Sequence, residues 1–184
     1  MNLNINKPVI EKKQLLIIDD EQNMRYMLSS LLKKTGYKID SAADGYEGLH
    51  RVRNNHYDFI LCDIKMPNMD GMDFLRESKQ FTASTTVIMM SAYGTIDTAL
   101  NAIKMGAYDY ISKPFKSDEV YFVLKKAEER ENLKKENVYL KKKISNIEER
   151  YAFGNMVAKS DSMQSVFKIA RKVADYKTTV LITG

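Results

Sequence analysis

A chain of 184 residues holds one ordinary domain, since single domains cluster near ~100 to 150 residues, and leaves a remainder that needs its own account. No apolar run approaches the ~18 residues of a membrane span, and the opening MNLNINKPVIEKK lacks the apolar middle of an export signal, so the sequence predicts a soluble, cytoplasmic protein with no membrane partner. The formal charge of +5 lies wholly in the second part: residues 1–118 carry 15 basic and 15 acidic side chains, residues 119–184 carry 14 and 9, with acids interleaved among the lysines as on a solvated helix face rather than a DNA-binding patch.

The first predicted element is a strand, QLLII (14–18), which runs straight into Asp19 and Asp20. Met24, Met27, Leu28, Leu31 and Leu32 then recur at helical spacing, and Gly36 closes that helix as a C-terminal cap. A second strand, YKIDSA (37–42), is followed by a weaker helix over 45–54 with Leu49 and Val52 on its inner face. The third strand, FILC (59–62), ends at Asp63; Cys62 inside it reads as a small buried hydrophobe in a reducing compartment, not a disulfide partner. MPNMDG is a turn in which Pro67 and Gly71 suit a loop, and a short helix over 72–79 carries Phe74 and Leu75. TVIMM (86–90) is the fourth strand, a helix over 95–105 places Ile96, Leu100 and Ile103 on one stripe before Gly106, and YDYIS (108–112) is the fifth. Ser117 is a candidate N-cap with Asp118 and Glu119 in the first turn, and Val120, Val123, Leu124 and Ala127 form a sheet-facing stripe.

Strands that are apolar on both faces and alternate with helices predict an α/β, doubly wound parallel sheet of flavodoxin-like order 2-1-3-4-5. Such sheets bind ligands at the carboxyl ends of their strands. That order makes strands one and three neighbours, so Asp19, Asp20 and Asp63 should converge in one cleft. Two unit charges ~5 Å apart repel by roughly 3 kcal/mol at an effective dielectric of 20, so the trio calls for a counter-ion. A hard divalent cation with oxygen ligands, Mg2+, answers that need, whereas helix capping accounts for only one of the three acids. His50 and His56 sit at a helix end and in a loop without ligand partners, and are expected to be structural or exposed.

Four separated motifs, DDE after strand one, CDIKMPNMDG at strand three, MMSAYG at strand four and YISKPF at strand five, resemble in order and spacing the receiver domain of two-component response regulators over about residues 14–127. The resemblance implies that Asp63 accepts a phosphoryl group from a sensor histidine kinase, that Asp19, Asp20, Asp63 and the carbonyl of Lys65 hold Mg2+, and that Ser91 and Lys113 contact the phosphoryl oxygens. It further implies Ser91 and Tyr110 as a switch pair and a cis Lys113-Pro114 bond. The receiver would catalyse its own phosphorylation and dephosphorylation. Two other readings compete with it. One is a pseudo-receiver that only dimerises, against which stand intact Asp63, Ser91 and Lys113. The other is a phosphohydrolase of the haloacid dehalogenase sort, which wants an acid two residues after the nucleophile where this chain has Lys65.

Beyond Ala127 the pattern changes to heptads: Leu133, Leu140 and Ile147 alternate with Asn137, Ile144 and Tyr151, the seam of a short coiled coil in which Asn137 favours a parallel dimer. A solitary helix with lysine-rich faces is the alternative. The expected division is therefore a receiver at 1–127, a linker helix at 128–151 and a third segment at 152–184. That segment resembles the start of the AAA+ ATPase domain of nitrogen-regulatory, enhancer-binding transcription activators, with Gly184 as the first glycine of a phosphate loop. No Gly-Lys pair occurs, so ATP hydrolysis by these residues is not expected. Residues 154–184 fall below the ~40 usually needed to fold alone and are expected to lack fixed structure unless docked. Contacts to an RNA polymerase sigma factor and to DNA, which the resemblance implies for a larger protein, would be made by regions outside these residues.

Overall fold

The computed structural model describes residues 12–92, 95–153, 156–158, 160–174, 176, 179 and 181, with the side chains of 117, 146–153 and 157 left out. The chain divides into two compact units, 1–129 and 130–184.

In the first unit, β1 (Gln14–Ile18), α1 (Gln22–Lys33), β2 (Lys38–Ala42), α2 (Gly45–Asn54), β3 (Phe59–Asp63), α3 (Gly71–Glu77), β4 (Thr86–Ser91), α4 (Ile96–Met105) and β5 (Asp109–Ser112) follow in strict alternation. The strands pair in parallel in the order β2-β1-β3-β4-β5, as the alternation predicts. Successive side chains of a strand point to opposite faces, so each strand feeds two cores. Leu16, Ile18, Ile60 and Cys62 join Leu49, Val52, Phe74 and Ala102 on the face of α2, α3 and α4. Leu15, Ile17, Phe59 and Leu61 join Leu28, Leu32, Val120, Leu124 and Ala127 on the other. Cys62 is completely buried, and burial pushes its thiol well up from the ordinary value. Gly36 and Gly106 have φ of 98° and 117°, left-handed conformations that a residue with a Cβ resists.

One helix is turned differently from its pattern. In α4 the apolar stripe faces outward: Ile96, Leu100 and Ile103 are 81%, 52% and 43% exposed, while the helix seats on the sheet through Ala102 and Met105. With 3.6 residues per turn these two lie on the far side of the helix from the stripe.

α5 (Ser117–Tyr151) is one helix of 35 residues. It includes Ser117 rather than starting after it, and Glu119 N–H donates to the Lys116 carbonyl. Its first turns bury Val120, Leu124 and Ala127. At Glu128 the carboxylate accepts from the buried Tyr37 hydroxyl at 2.6 Å and pairs with Lys125 at 2.7 Å.

The second unit holds the remainder of α5, a two-stranded antiparallel pair of β6 (Ala152–Phe153) and β7 (Met156–Val157), and α6 (Asp161–Val173). α6 departs from the expectation of no fixed structure over 154–184. Ser160 caps it by accepting from Met163 N–H, Asp161 lies in its first turn and Arg171 and Lys172 in its last, all favourable to the helix dipole. Gly184, expected to open a phosphate loop, lies outside the described residues. Among the described residues no helix is long and apolar enough to cross a membrane.

Candidate active site

Because all five strands run the same way, their carboxyl ends share one edge of the sheet. The β1–β3 register, in which Ile18 faces Cys62, brings the next residues, Asp19 and Asp63, side by side. β4 ends at Ser91, whose carbonyl accepts from Lys113 N–H at 2.7 Å, so the backbone of Lys113 continues the ladder beyond β5. Asp19, Asp63, Ser91 and Lys113 are all buried there, at 0%, 5%, 1% and 8% exposure.

Lys113 ties the acids together. Its Nζ lies 2.8 Å from Asp19 Oδ2 and 2.9 Å from Asp63 Oδ1. Only the first contact has the alignment of a hydrogen bond; Asp63 Oδ1 is ion-paired by distance yet receives no aligned donor among the described residues. Burial pushes the Asp63 carboxyl up from its ordinary value, with Asp19 and Asp20 adding to the rise and Lys113 opposing it. Burial works against the Lys113 ammonium too, but its close pairing with Asp19 and Asp63 outweighs it and holds it above the ordinary value. The Lys113-Pro114 bond is cis.

The three acids are thus not equivalent. Asp19 and Asp63 share the lysine, whereas Asp20 is exposed. No three acidic, histidine or cysteine side chains close into a metal cage among the described residues, and the charge that balances Asp19 and Asp63 is an ammonium. The donors nevertheless fit Mg2+ in kind, being carboxylate oxygens with one buried acceptor, Asp63 Oδ1, short of an aligned donor. Lys65, whose carbonyl is the fourth expected ligand, lies two residues beyond Asp63 and is exposed. The loop that carries it is closed by Ile64 N–H on Met90 O and Gly71 N–H on Ile64 O, both 2.8 Å. A Cβ at Gly71 would stand 2.1 Å from the carbonyl oxygen of Asp63, so only glycine lets α3 start so close beneath this residue.

Of the proposed switch pair, Ser91 is buried at the end of β4 and Tyr110 is half-buried on β5, its ring against the α2–α4 core. The Tyr110 hydroxyl is a buried atom with no hydrogen-bond partner among the described residues. Tyr93 and Gly94 of the MMSAYG motif lie outside that set. His50 and His56 are exposed, as expected. Along the linker, Leu133, Leu140 and Ile144 are 59%, 47% and 55% exposed and Asn137 is exposed; the side chains of Ile147 and Tyr151 fall outside the description.

The motif reading missed two arrangements. Arg25 Nη1 donates to the carbonyls of Asp19 at 2.6 Å and Asp20 at 3.0 Å. Asn68, at φ 66°, donates to Asp44 Oδ2 at 3.1 Å while Gly45 N–H donates to Met69 O, which bolts the loop after β2 to the loop after Asp63. Neither side chain belongs to a periodic stripe, and a lone arginine one turn after an acid pair was the only trace in the sequence.

Comparison with known proteins decides what this edge of the sheet belongs to. The family model described as response regulator receiver domain matches residues 15–125. The chain belongs to the response regulator receiver family. Beyond the receiver, the chain is 36% identical over 171 residues to the regulatory protein AtoC of Escherichia coli (strain K12), a match covering 93% of this chain and 36% of AtoC. That match runs past the receiver into the linker and the residues after it, and bears out the resemblance to the nitrogen-regulatory type of activator. The chain spans about a third of the length of that relative. Among solved structures, the beryllofluoride-activated NtrC4 receiver domain dimer is 32% identical with a TM-score of 0.61, covering 64% of this receiver-bearing chain and 97% of that one. The CheX-CheY-BeF3-Mg+2 complex from Borrelia burgdorferi is 32% identical with a TM-score of 0.57, covering 59% and 84%.

Proposed function

We propose that this receiver accepts a phosphoryl group on Asp63 from the phosphohistidine of a sensor kinase, in a Mg2+-dependent reaction in the cytoplasm, and through it controls the pairing of two chains along α5. The observation that carries the reading is the buried triad in which Lys113 sits 2.9 Å from the Asp63 carboxylate and 2.8 Å from Asp19. An Asp63 oxygen attacks phosphorus, the bond from phosphorus to the donor's imidazole nitrogen breaks, and the donor leaves with its electron pair. The Lys113 ammonium balances charge on the transferred oxygens, and the Ser91 hydroxyl supplies a donor at the end of the neighbouring strand. Bound Mg2+, held by Asp19, Asp20, Asp63 and the Lys65 carbonyl, would neutralise further charge on the phosphoryl group. Among the described residues Asp63 is the acid that combines burial, an imperfectly satisfied oxygen and a neighbouring cation, which supports the choice of Asp63 over Asp19 and Asp20 as the acceptor.

Drawing the Ser91 hydroxyl toward a phosphoryl group opens room near Tyr110, whose buried hydroxyl has no partner among the described residues, and a ring with two settings is what a two-state switch requires. The exposed leucines and Ile144 of the linker support a second chain as the partner that covers them. The attached segment after the linker then reads as the start of an ATPase whose assembly the receiver governs, with sigma factor and DNA contacts made elsewhere in a longer protein. Incubation with a small acyl phosphate and Mg2+ tests the central step: one phosphoryl group is added, and a chelator abolishes it. Labelling that survives in Asp63→Asn would overturn the assignment.

A further inference from the structure

The turn between β1 and α1 is three residues long, carries two of the acids assigned to Mg2+, and starts a helix whose N-cap residue, Glu21, makes no side-chain cap. Something else must hold it. Asp19 is fixed from its own side: its N–H donates to Ala42 O at 3.2 Å, its Oδ1 accepts from Glu21 N–H at 2.9 Å and its Oδ2 from Lys113. Asp20 has an exposed side chain, and its placement depends on its backbone. That backbone is gripped by Arg25, from the first turns of α1. A single guanidinium nitrogen, Nη1, carries two protons and spends them on two successive carbonyls, Asp19 O and Asp20 O, while Arg25 N–H donates to Glu21 O at 3.1 Å. Charge-assisted donors make shorter and stronger bonds than neutral ones, and a planar fork holds two acceptors in a set direction where a lysine would act as a point charge.

We propose that Arg25 is a positioning residue of the receiver site: by clamping the carbonyls of Asp19 and Asp20 it sets where the Asp20 carboxylate stands to meet a divalent cation. This rests on the Mg2+ reading above. Arg25 touches neither the cation nor the phosphoryl group in this account. It acts as outer partners of metal ligands do, and losing such a partner typically lowers metal affinity about 10- to 100-fold. A second effect follows without metal, because the Glu21 N–H that caps onto Asp19 is held by the same turn.

The test uses the whole chain as wild type, Arg25→Gln and Arg25→Lys. Mg2+ binding is measured calorimetrically without phosphodonor, amide exchange at Glu21 is followed in chelator, and phosphorylation is titrated against Mg2+. The expected result for Arg25→Gln is a Mg2+ Kd raised about 10-fold or more, faster exchange at Glu21, and a labelling rate at saturating Mg2+ within about two-fold of wild type, with Arg25→Lys in between. A wild-type chain that binds no Mg2+ overturns the functional reading and this one with it. A wild type that binds Mg2+ beside an Arg25→Gln chain of unchanged Kd overturns the clamp alone. Should Arg25→Gln fail to fold, the Kd of Arg25→Lys decides by the same criterion.

Discussion

The carboxyl edge of the sheet and the far half of α5 satisfy their side chains in opposite ways. At the edge, Asp19, Asp63 and Lys113 are buried and answer one another within a single chain. Along the linker, Leu133, Leu140 and Ile144 stand exposed at heptad spacing. Yet α5 is continuous, and its own first turns bury Val120, Leu124 and Ala127 against the sheet. The same helix thus fills one core with its first turns, and on the proposed reading a second chain would cover the exposed residues further along it. The contrast teaches that the chemistry should survive in a monomer while its readout should not.

The sharpest way to break this contrast is at Asp63. Asp63→Asn is expected to abolish phosphoryl labelling while leaving the dimer measured by sedimentation intact before any phosphodonor is added. Next comes Lys113→Met, which strands two buried carboxylates without their cation. Breaking a buried pair this way costs about 3–5 kcal/mol, read as a fall of about 10 °C or more in Tm. The pH dependence has a definite sign. The folded Lys113 titrates above its ordinary 10.5, so its stabilisation is complete below 10.5 and is lost as pH climbs from there through the folded value. Lys113→Met should lack that alkaline fall.

On the linker, Leu140→Asp places a charge against its twin across the seam. A penalty of roughly 3 kcal/mol weakens the dimer by a factor on the order of 100, which analytical ultracentrifugation resolves as monomer at micromolar concentration. Labelling at Asp63 should proceed in that monomer at the wild-type rate; a rate that collapses with the dimer would show that the two regions are not separable as described. The smallest effect is a gain. Because the folded Asp63 carboxyl titrates above its ordinary 3.8, ionising it opposes folding, and Asp63→Asn should raise Tm by a few degrees in chelator at neutral pH. That gain is absent below 3.8, grows as pH rises to the folded value, and is constant above it.

The strand ends were legible because an acid closing an apolar run has few structural uses, and the two runs that end so, β1 and β3, are neighbours once the strands are parallel. Asp63, Asp19 and Lys113 meet for that reason. Helix periodicity, by contrast, reports that a stripe exists and not which way it faces, so Ile96, Leu100 and Ile103 spelled an ordinary core helix while α4 seats on Ala102 and Met105. The idea of converging acids in need of a cation left out a nearer partner: Asp19 and Asp63 are bridged by Lys113, ninety-four positions after Asp19, a distance over which charge patterning says nothing, while Asp20 stands exposed beside them. Arg25 escaped for a different cause. Its partners are backbone carbonyls, which every residue has, so the contact leaves no compositional mark.

Cys62 gives the receiver a built-in clock. It is the sole thiol of the chain, fully buried in β3 one residue before Asp63, with its Sγ–H directed to that residue's carbonyl at 3.3 Å. An alkylating reagent reaches it only when the central strand leaves the sheet, so the rate of mass gain counts openings of the core itself, one event per molecule. Fraying at helix ends does not register on such a counter, and neither does motion of the linker.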